Sequence, residues 1–276
     1  MVTASTHGDL VDHNFTLALS YSHNFDRVCD ANNSAVTEPL DLRPLNSSAG
    51  CFQSGHPDLA THHLNIDSFE PSLTWTMTPR LVVQGGGTIQ ILDGFQANPY
   101  RSVALGSEGH TPQEHLPNLR QRYAVFARLA YAFPELRASG LLMARAYRDT
   151  WSVQAASAEA SLNKYLVGNV LLVGLRTRFH IQQGAAFYRD AMGYRLLGPP
   201  GQYWTGDREL SPMSNYLAGA KLALLRRPEQ EHSSFFVEME FDAKAEVLFY
   251  HLDSSNAPNA DRHYAGIIQG AFAARF

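Results

Sequence analysis

The sequence predicts an all-β fold: one antiparallel transmembrane β-barrel of about ten to twelve strands, with short periplasmic turns and longer extracellular loops. Three observations predict it. Residues 235–250 alternate without interruption. The odd positions are Phe235, Val237, Met239, Phe241, Ala243, Ala245, Val247 and Phe249; the even ones include Glu238, Glu240, Asp242, Lys244 and Glu246. Period two over such a length makes one long strand with an apolar and a charged face, whereas a helix would spread the same charges around its cylinder. Second, tight connections alternate with longer ones along the chain. Third, the last alternating stretch ends in Phe276, with Ala274, Phe272 and Ile268 on its face. A terminal aromatic in that setting resembles the signal read by the outer-membrane assembly machinery.

The elements follow in order. In 13–24, Phe15, Leu17, Leu19 and Tyr21 alternate with Thr16, Ala18, Ser20 and Ser22. Less regular strands fill 63–78, 81–93, 136–150 and 153–164. In 119–131, Leu119, Tyr123, Val125, Leu129 and Tyr131 oppose Arg120, Arg122 and Arg128. In 172–182, Val173, Leu175, Phe179 and Ile181 oppose Arg176, Arg178, His180 and Gln182. In 213–224, Tyr216, Ala218, Ala220, Leu222 and Leu224 oppose Asn215, Gly219 and Lys221. Strands 235–250 and 264–276 complete a set of ten. Tight reversals are expected at Thr78–Arg80, Pro134–Glu135, Leu166–Asn169 and Arg226–Glu229. Long connections are expected at 25–62, 94–116 and 184–212, a polar reversal at Asp149–Ser152 and a medium loop at Leu252–Arg262. Tight turns therefore gather at one end and long loops at the other.

A soluble barrel also alternates, but with its apolar face inward. The charges spaced two apart suit a watery or ion-paired lumen instead, and the terminal Phe points the same way. Phe235, Val237, Met239, Phe241, Val247 and Phe249 are thus expected to face lipid.

Composition excludes other classes. The chain has 276 residues with 22 Lys+Arg against 26 Asp+Glu, a net charge of −4, so it is no general polyanion binder and nucleic acid is not an expected partner. The longest apolar run, Tyr165–Leu175, is broken by Gly168 and Asn169 and is too short for a membrane helix. With 15 Phe, 12 Tyr and 3 Trp the chain is not disordered. The first ten residues lack the basic and apolar regions of a signal peptide, which implies a cytoplasmic chain or one whose front is processed or truncated. Cys29 and Cys51 share one polar segment. A disulfide there, worth about 3 kcal/mol, is favoured over a metal pair, with two free thiols as the alternative.

The candidate lumen residues are Arg120, Arg122, Arg128, Arg176, Arg178, His180, Lys221, Glu238 and Glu240. They make either an anion path or a plug of ion pairs with Glu238, Glu240 and Glu246. The plug is favoured, because a barrel of about ten strands has an interior that side chains nearly fill. His251, Asp253 and Ser254 adjoin, but sequence neighbours on a loop do not make a triad, and no Gly-x-Ser-x-Gly is present. His62 and His63, placed with Asp67 in the first long loop, lack metal-ligand spacing. Gly85–Gly87 is followed by no Lys-Ser/Thr, so it reads as a gap filled by a neighbouring side chain or a bend, not a phosphate loop. No cofactor or metal is expected.

Several stretches together resemble the family called domain of unknown function 3570: Ser68–Leu73, Gly94–Arg101, Tyr147–Trp151, Gln182–Tyr188, Thr205–Leu210 and the terminal Phe276. The resemblance spans roughly residues 60–276. It implies a bacterial outer-membrane barrel with no established activity, whose members begin with a signal peptide and further N-terminal sequence, so that a front strand or pair of strands is expected to be missing here. The expectation is one domain over 1–276, embedded in the lipid bilayer as a pore, transporter or scaffold without catalysis. A barrel-embedded lipid hydrolase and a soluble β-barrel binder are the alternatives.

Overall fold

The computed structural model describes residues 1–11, 14–29, 61–98, 101, 103, 113–167, 170–226, 238–252 and 262–275. They form one eleven-stranded sheet in which every strand pairs antiparallel with the next in sequence. The strands are β1 (Val2–Leu10), β2 (Phe15–Cys29), β3 (Thr61–Thr78), β4 (Leu81–Gly94), β5 (Leu119–Phe133), β6 (Ala138–Asp149), β7 (Gln154–Val167), β8 (Leu171–Gln183), β9 (Met213–Arg226), β10 (Glu238–Leu252) and β11 (Arg262–Arg275). Ten coincide with the expected strands to within a few residues. The eleventh, β1, is additional. Its outward residues include Ala4, Thr6 and Gly8, too small to mark an apolar face. His62 and His63 lie on β3 rather than in a loop.

Between β5 and β6, a 3-10 turn at Pro134–Leu136 ends on Arg137, whose left-handed backbone lets its N–H donate to the Pro134 carbonyl at 3.0 Å. Apart from register shifts beside the turns at Thr76–Thr78 and Tyr165–Val167, the pairing holds one register, so side-chain alternation carries across the sheet. On one face, Phe179, Tyr216, Phe249 and Tyr264 fall in one row from β8 to β11. On the other, Arg178 meets Leu217, and Lys221 meets Lys244.

The two faces differ in what covers them. The first is exposed and apolar: Leu17, Val125, Leu142, Leu175, Leu222, Phe241 and Ile268 all lie open. The second is polar and carries the long connections, and side chains from β5 to β9 line a single cavity there. The sheet therefore curves around that face, which we call the inner face. Phe126 on β5 seats its ring over Gly86, where a Cβ would stand 2.7 Å from it. A side chain at Gly86 would displace that ring. β1 and β11 are not paired with each other among the described residues, and as odd-numbered strands of a meander they run in the same direction.

Candidate functional site

At the end opposite the tight turns, parts of three connections fold together into a cap. They come from β4–β5 (94–118), β6–β7 (150–153) and β8–β9 (184–212). Ala97, Leu116, Trp151, Val153, Phe187 and Leu210 form its main buried cluster; Val103, Tyr194 and Trp204 form a second. An α-helix, α1 (Ala191–Leu197), is capped by the Asp190 carboxylate, which accepts from the Gly193 N–H.

Asp149 is the pivot on which the cap joins the sheet. Its carboxylate is fully buried. One oxygen accepts from the Trp151 and Val153 N–H groups at 2.9 and 3.0 Å, shaping the reversal. The other accepts from Arg120 Nε at 2.9 Å and the Tyr147 hydroxyl at 2.8 Å. The Arg120 guanidinium also lies 4.1 Å from the Trp151 ring centroid, a cation–π contact made stronger by the burial of both groups.

Glu114 and Tyr194 hold the loops to one another. Glu114 accepts from the Asn98 N–H at 2.8 Å and the Thr205 hydroxyl at 2.7 Å. Burial pushes its carboxyl up, and these two hydrogen bonds pull it back only in part. The buried Tyr194 hydroxyl accepts from the Thr205 N–H at 2.8 Å and shares its proton between the Thr205 and Phe187 carbonyls at 2.9 and 3.0 Å. Burial raises it to about 12. Arg101 pairs with Asp207. Gln182, on the inner face of β8, donates to the Glu209 and Ser211 carbonyls at 2.8 and 2.9 Å. The third long connection is thus pinned against the inside of the sheet.

Below this lies a cavity of about 450 Å³. Arg120, Arg122, Arg145, Arg178 and His180 line it, and Glu209 and Leu210 of the cap border it. A larger groove of about 1210 Å³ reaches the opposite, apolar face, where Gly85, Gly87, Ala146 and Ala156 dent the surface beside Leu73 and Ile181. That groove contains little chemistry; the inner cavity contains a great deal.

Six of the nine expected lumen residues sort into two groups on the inner face. Arg120, Arg122, Arg178 and His180 line the cavity. Arg176 and Lys221 lie toward the turn end in an ion-paired belt. There Arg176 pairs with Glu159 at 2.8 Å and Glu246 at 3.2 Å, Lys244 pairs with Glu246 at 2.8 Å, and Lys221 pairs with Asp242 at 2.8 Å. Arg128 projects from the same face of β5, opposite Gln84 and Met143. Glu240 stands across from Leu225 and Ala273; the side chain of Glu238 lies outside the described residues. Sequence reasoning missed Arg145, Glu159 and Asp149 as members of these groups. Arg145 sits on the irregular β6, and Asp149 was visible only inside the Tyr147–Trp151 stretch.

Cys29 ends β2 and Cys51 lies outside the described residues, so the structure gives the expected disulfide no support. Phe272 is exposed on the apolar face, opposite Phe241. Phe276, Asp253 and Ser254 lie outside the described residues.

Four of the stretches that carry the family resemblance, around Phe95, Trp151, Phe187 and Leu210, meet in the cap. Residues 1–236 match the family model described as "Protein of unknown function (DUF3570)". The chain belongs to that family. No curated protein matches it. Among solved structures it is similar to OmpT (in-vitro folded), an outer membrane protein of Vibrio cholerae, at 9% identity and a TM-score of 0.40, over 98% of this chain and 89% of that one.

Proposed function

We propose that this DUF3570 chain is an outer-membrane β-barrel of the pore or transporter type, whose polar interior is narrowed at the loop end by the cap. The observation that carries this reading is the segregation of side chains across the sheet. On the outer face, charged residues are few and avoid the turn-side middle of the sheet: Arg27, Asp67, Asp93 and Arg148 lie in the loop-side halves of their strands, and Lys164 lies near the turns. Between them the face is aliphatic, aromatic or small, the small residues including Gly85, Gly87 and Thr177.

Aromatic spacing supports the same reading. Three strands place outward aromatics eight residues apart with smaller residues between: Tyr123 and Tyr131, Phe241 and Phe249, Tyr264 and Phe272. Eight residues span about 27 Å of strand, and tilt shortens this toward the apolar band of about 25 Å between the aromatic girdles of outer-membrane barrels. A soluble barrel would bury these side chains instead. Every described strand except β1 also exceeds the roughly 9–11 residues needed to cross a bilayer. The reading requires that the β1 and β11 edges be paired in the membrane, because unsatisfied backbone is costly in hydrocarbon. Antiparallel closure then needs one further strand between these two like-directed edges.

Planar-bilayer conductance tests the proposal. The refolded protein should give small, flickering currents. A variant with 187–208 replaced by a short Gly-Ser turn should give larger, steady ones. Absence of current from both proteins, each inserted and protease-resistant, contradicts the pore reading.

A further inference from the structure

The arginines beneath the cap are matched differently from those of the belt. Across the β5–β6 pair, Arg122 stands directly opposite Asp149. That carboxylate is spent on Arg120, two residues away. Across the β7–β8 pair, Arg178 stands directly opposite Glu159. That carboxylate is likewise spent on the neighbouring arginine, Arg176, through two hydrogen bonds at 2.8 and 2.9 Å. The same displacement on two strand pairs frees two guanidinium groups toward one cavity. Arg145 joins them from β6, opposite Phe126 and Ser157.

Among the described residues, none of Arg122, Arg145 and Arg178 is ion-paired. Arg122 Nη1 donates to the Gln90 side chain at 3.1 Å, a neutral acceptor. The Nε atoms of Arg122 and Arg178 are buried with no hydrogen-bond partner. Such donors are costly to leave unmet. Counting Arg120 against Asp149, and Glu209 against one of the others, the cavity wall holds an excess of two positive charges. Tyr147, Ser157, Gln182 and Asn215 supply neutral polar groups around them.

We propose that this cavity is a binding site for a small oxyanion, a carboxylate or phosphate group on a molecule small enough for about 450 Å³, held by Arg122, Arg145 and Arg178. Guanidinium forks match both oxyanions in planar, bidentate fashion, which an ammonium group does not. The inference rests on the lumen reading above and names the chemistry that the lumen selects. Leu210 and Glu209 form one wall, so a bound anion lies against the cap and would be felt by Trp151 through Arg120.

The test is equilibrium binding to the full chain folded in detergent micelles, read by tryptophan fluorescence, with inorganic phosphate and succinate as separate probes. It needs no conductance, so a failed pore leaves it informative. Saturable binding of at least one probe is expected, with at least tenfold loss in R122Q/R178Q. R178K, which keeps the charge and loses the fork, should bind severalfold more weakly than the parent. R128Q, on the same face but outside the cavity, should match the parent. Stronger binding of phosphate or of succinate assigns the headgroup. Lack of saturation with both probes, unchanged affinity in R122Q/R178Q, or an equal loss in R128Q overturns the site.

Discussion

Two regions of one inner face use the same residue types to opposite ends. In the belt, Arg176 satisfies Glu159 and Glu246, Lys244 adds to Glu246, and Lys221 takes Asp242. Cations and carboxylates there are interleaved so that each meets its opposite. Under the cap, Arg120 takes Asp149, and among the described residues Arg122, Arg145 and Arg178 are ion-paired with no carboxylate, although Glu209 borders the same cavity. Both count and choice of partner separate the regions: three cations face three carboxylates in the belt, whereas the cavity wall holds an excess of positive charge. A matched belt rigidifies the strands around it. An unmatched cluster turns net positive charge toward the cavity.

The sharpest way to break the comparison is Asp149→Ala. It strands the buried Arg120 guanidinium and frees the Trp151 and Val153 N–H groups. Removing one member of a buried pair costs about 3–5 kcal/mol, so near-UV circular dichroism of the cap tryptophans should collapse at lower urea than in the parent. Arg placed on the outer face comes next. Val247→Arg should lower barrel stability in bilayers by about 2–4 kcal/mol if that position lies near the midplane, measured by urea unfolding of vesicle-inserted protein. The same substitution of inward Ala223 would test packing instead, since Ala223 has no exposed surface.

Alkaline pH should act on the cap through Tyr194. The Tyr194 phenol is raised by burial to about 12 in the folded protein, against about 10 when unfolded. Its contribution is fully present below pH 10 and is lost as pH rises from 10 toward 12, amounting to on the order of 2–3 kcal/mol. Tyr194→Phe should remove that slope from the cap transition while lowering stability at neutral pH. A smaller effect of the same sign comes from Glu114. Its carboxyl is held above the ordinary range by burial, so the cap should lose stability as pH rises through and just above the normal carboxylate range, and Glu114→Gln should flatten that step. Last in size is Glu246→Gln in the belt. It leaves Arg176 with Glu159 and Lys244 without its partner. Because Arg176 is about a third exposed, the expected loss is about 1–2 kcal/mol, read from the barrel's urea midpoint.

Much of the sheet was legible because strand alternation is a local property: Phe241, Val247 and Phe249 must share a face whatever surrounds them. Arg120, Arg122 and Arg128 share a face for the same reason. β1 was not legible, since Ala4, Thr6 and Gly8 provide too little apolar contrast to reveal a period. The cap was hidden for a different cause. Its contacts join Glu114 to Thr205 and His115 to Trp204 across about ninety residues, with no repeating pattern to read. Partner choice was hidden too. Cross-strand register places Asp149 opposite Arg122, yet the carboxylate turns to Arg120 because the 149–153 reversal draws it that way.

The central claim is that the arginine-bearing face meets water and the opposite face meets lipid. β5 carries both: Val125 is 62% exposed on the outer face, and Arg128 is exposed on the inner. Single Cys variants at these two positions, in a Cys29→Ser, Cys51→Ser background reconstituted into vesicles, can be labelled with a membrane-impermeant maleimide. The account predicts fast labelling of Arg128→Cys and slow labelling of Val125→Cys, with the difference abolished once the protein is unfolded. Val125→Cys labelled as fast as Arg128→Cys in intact vesicles would contradict it.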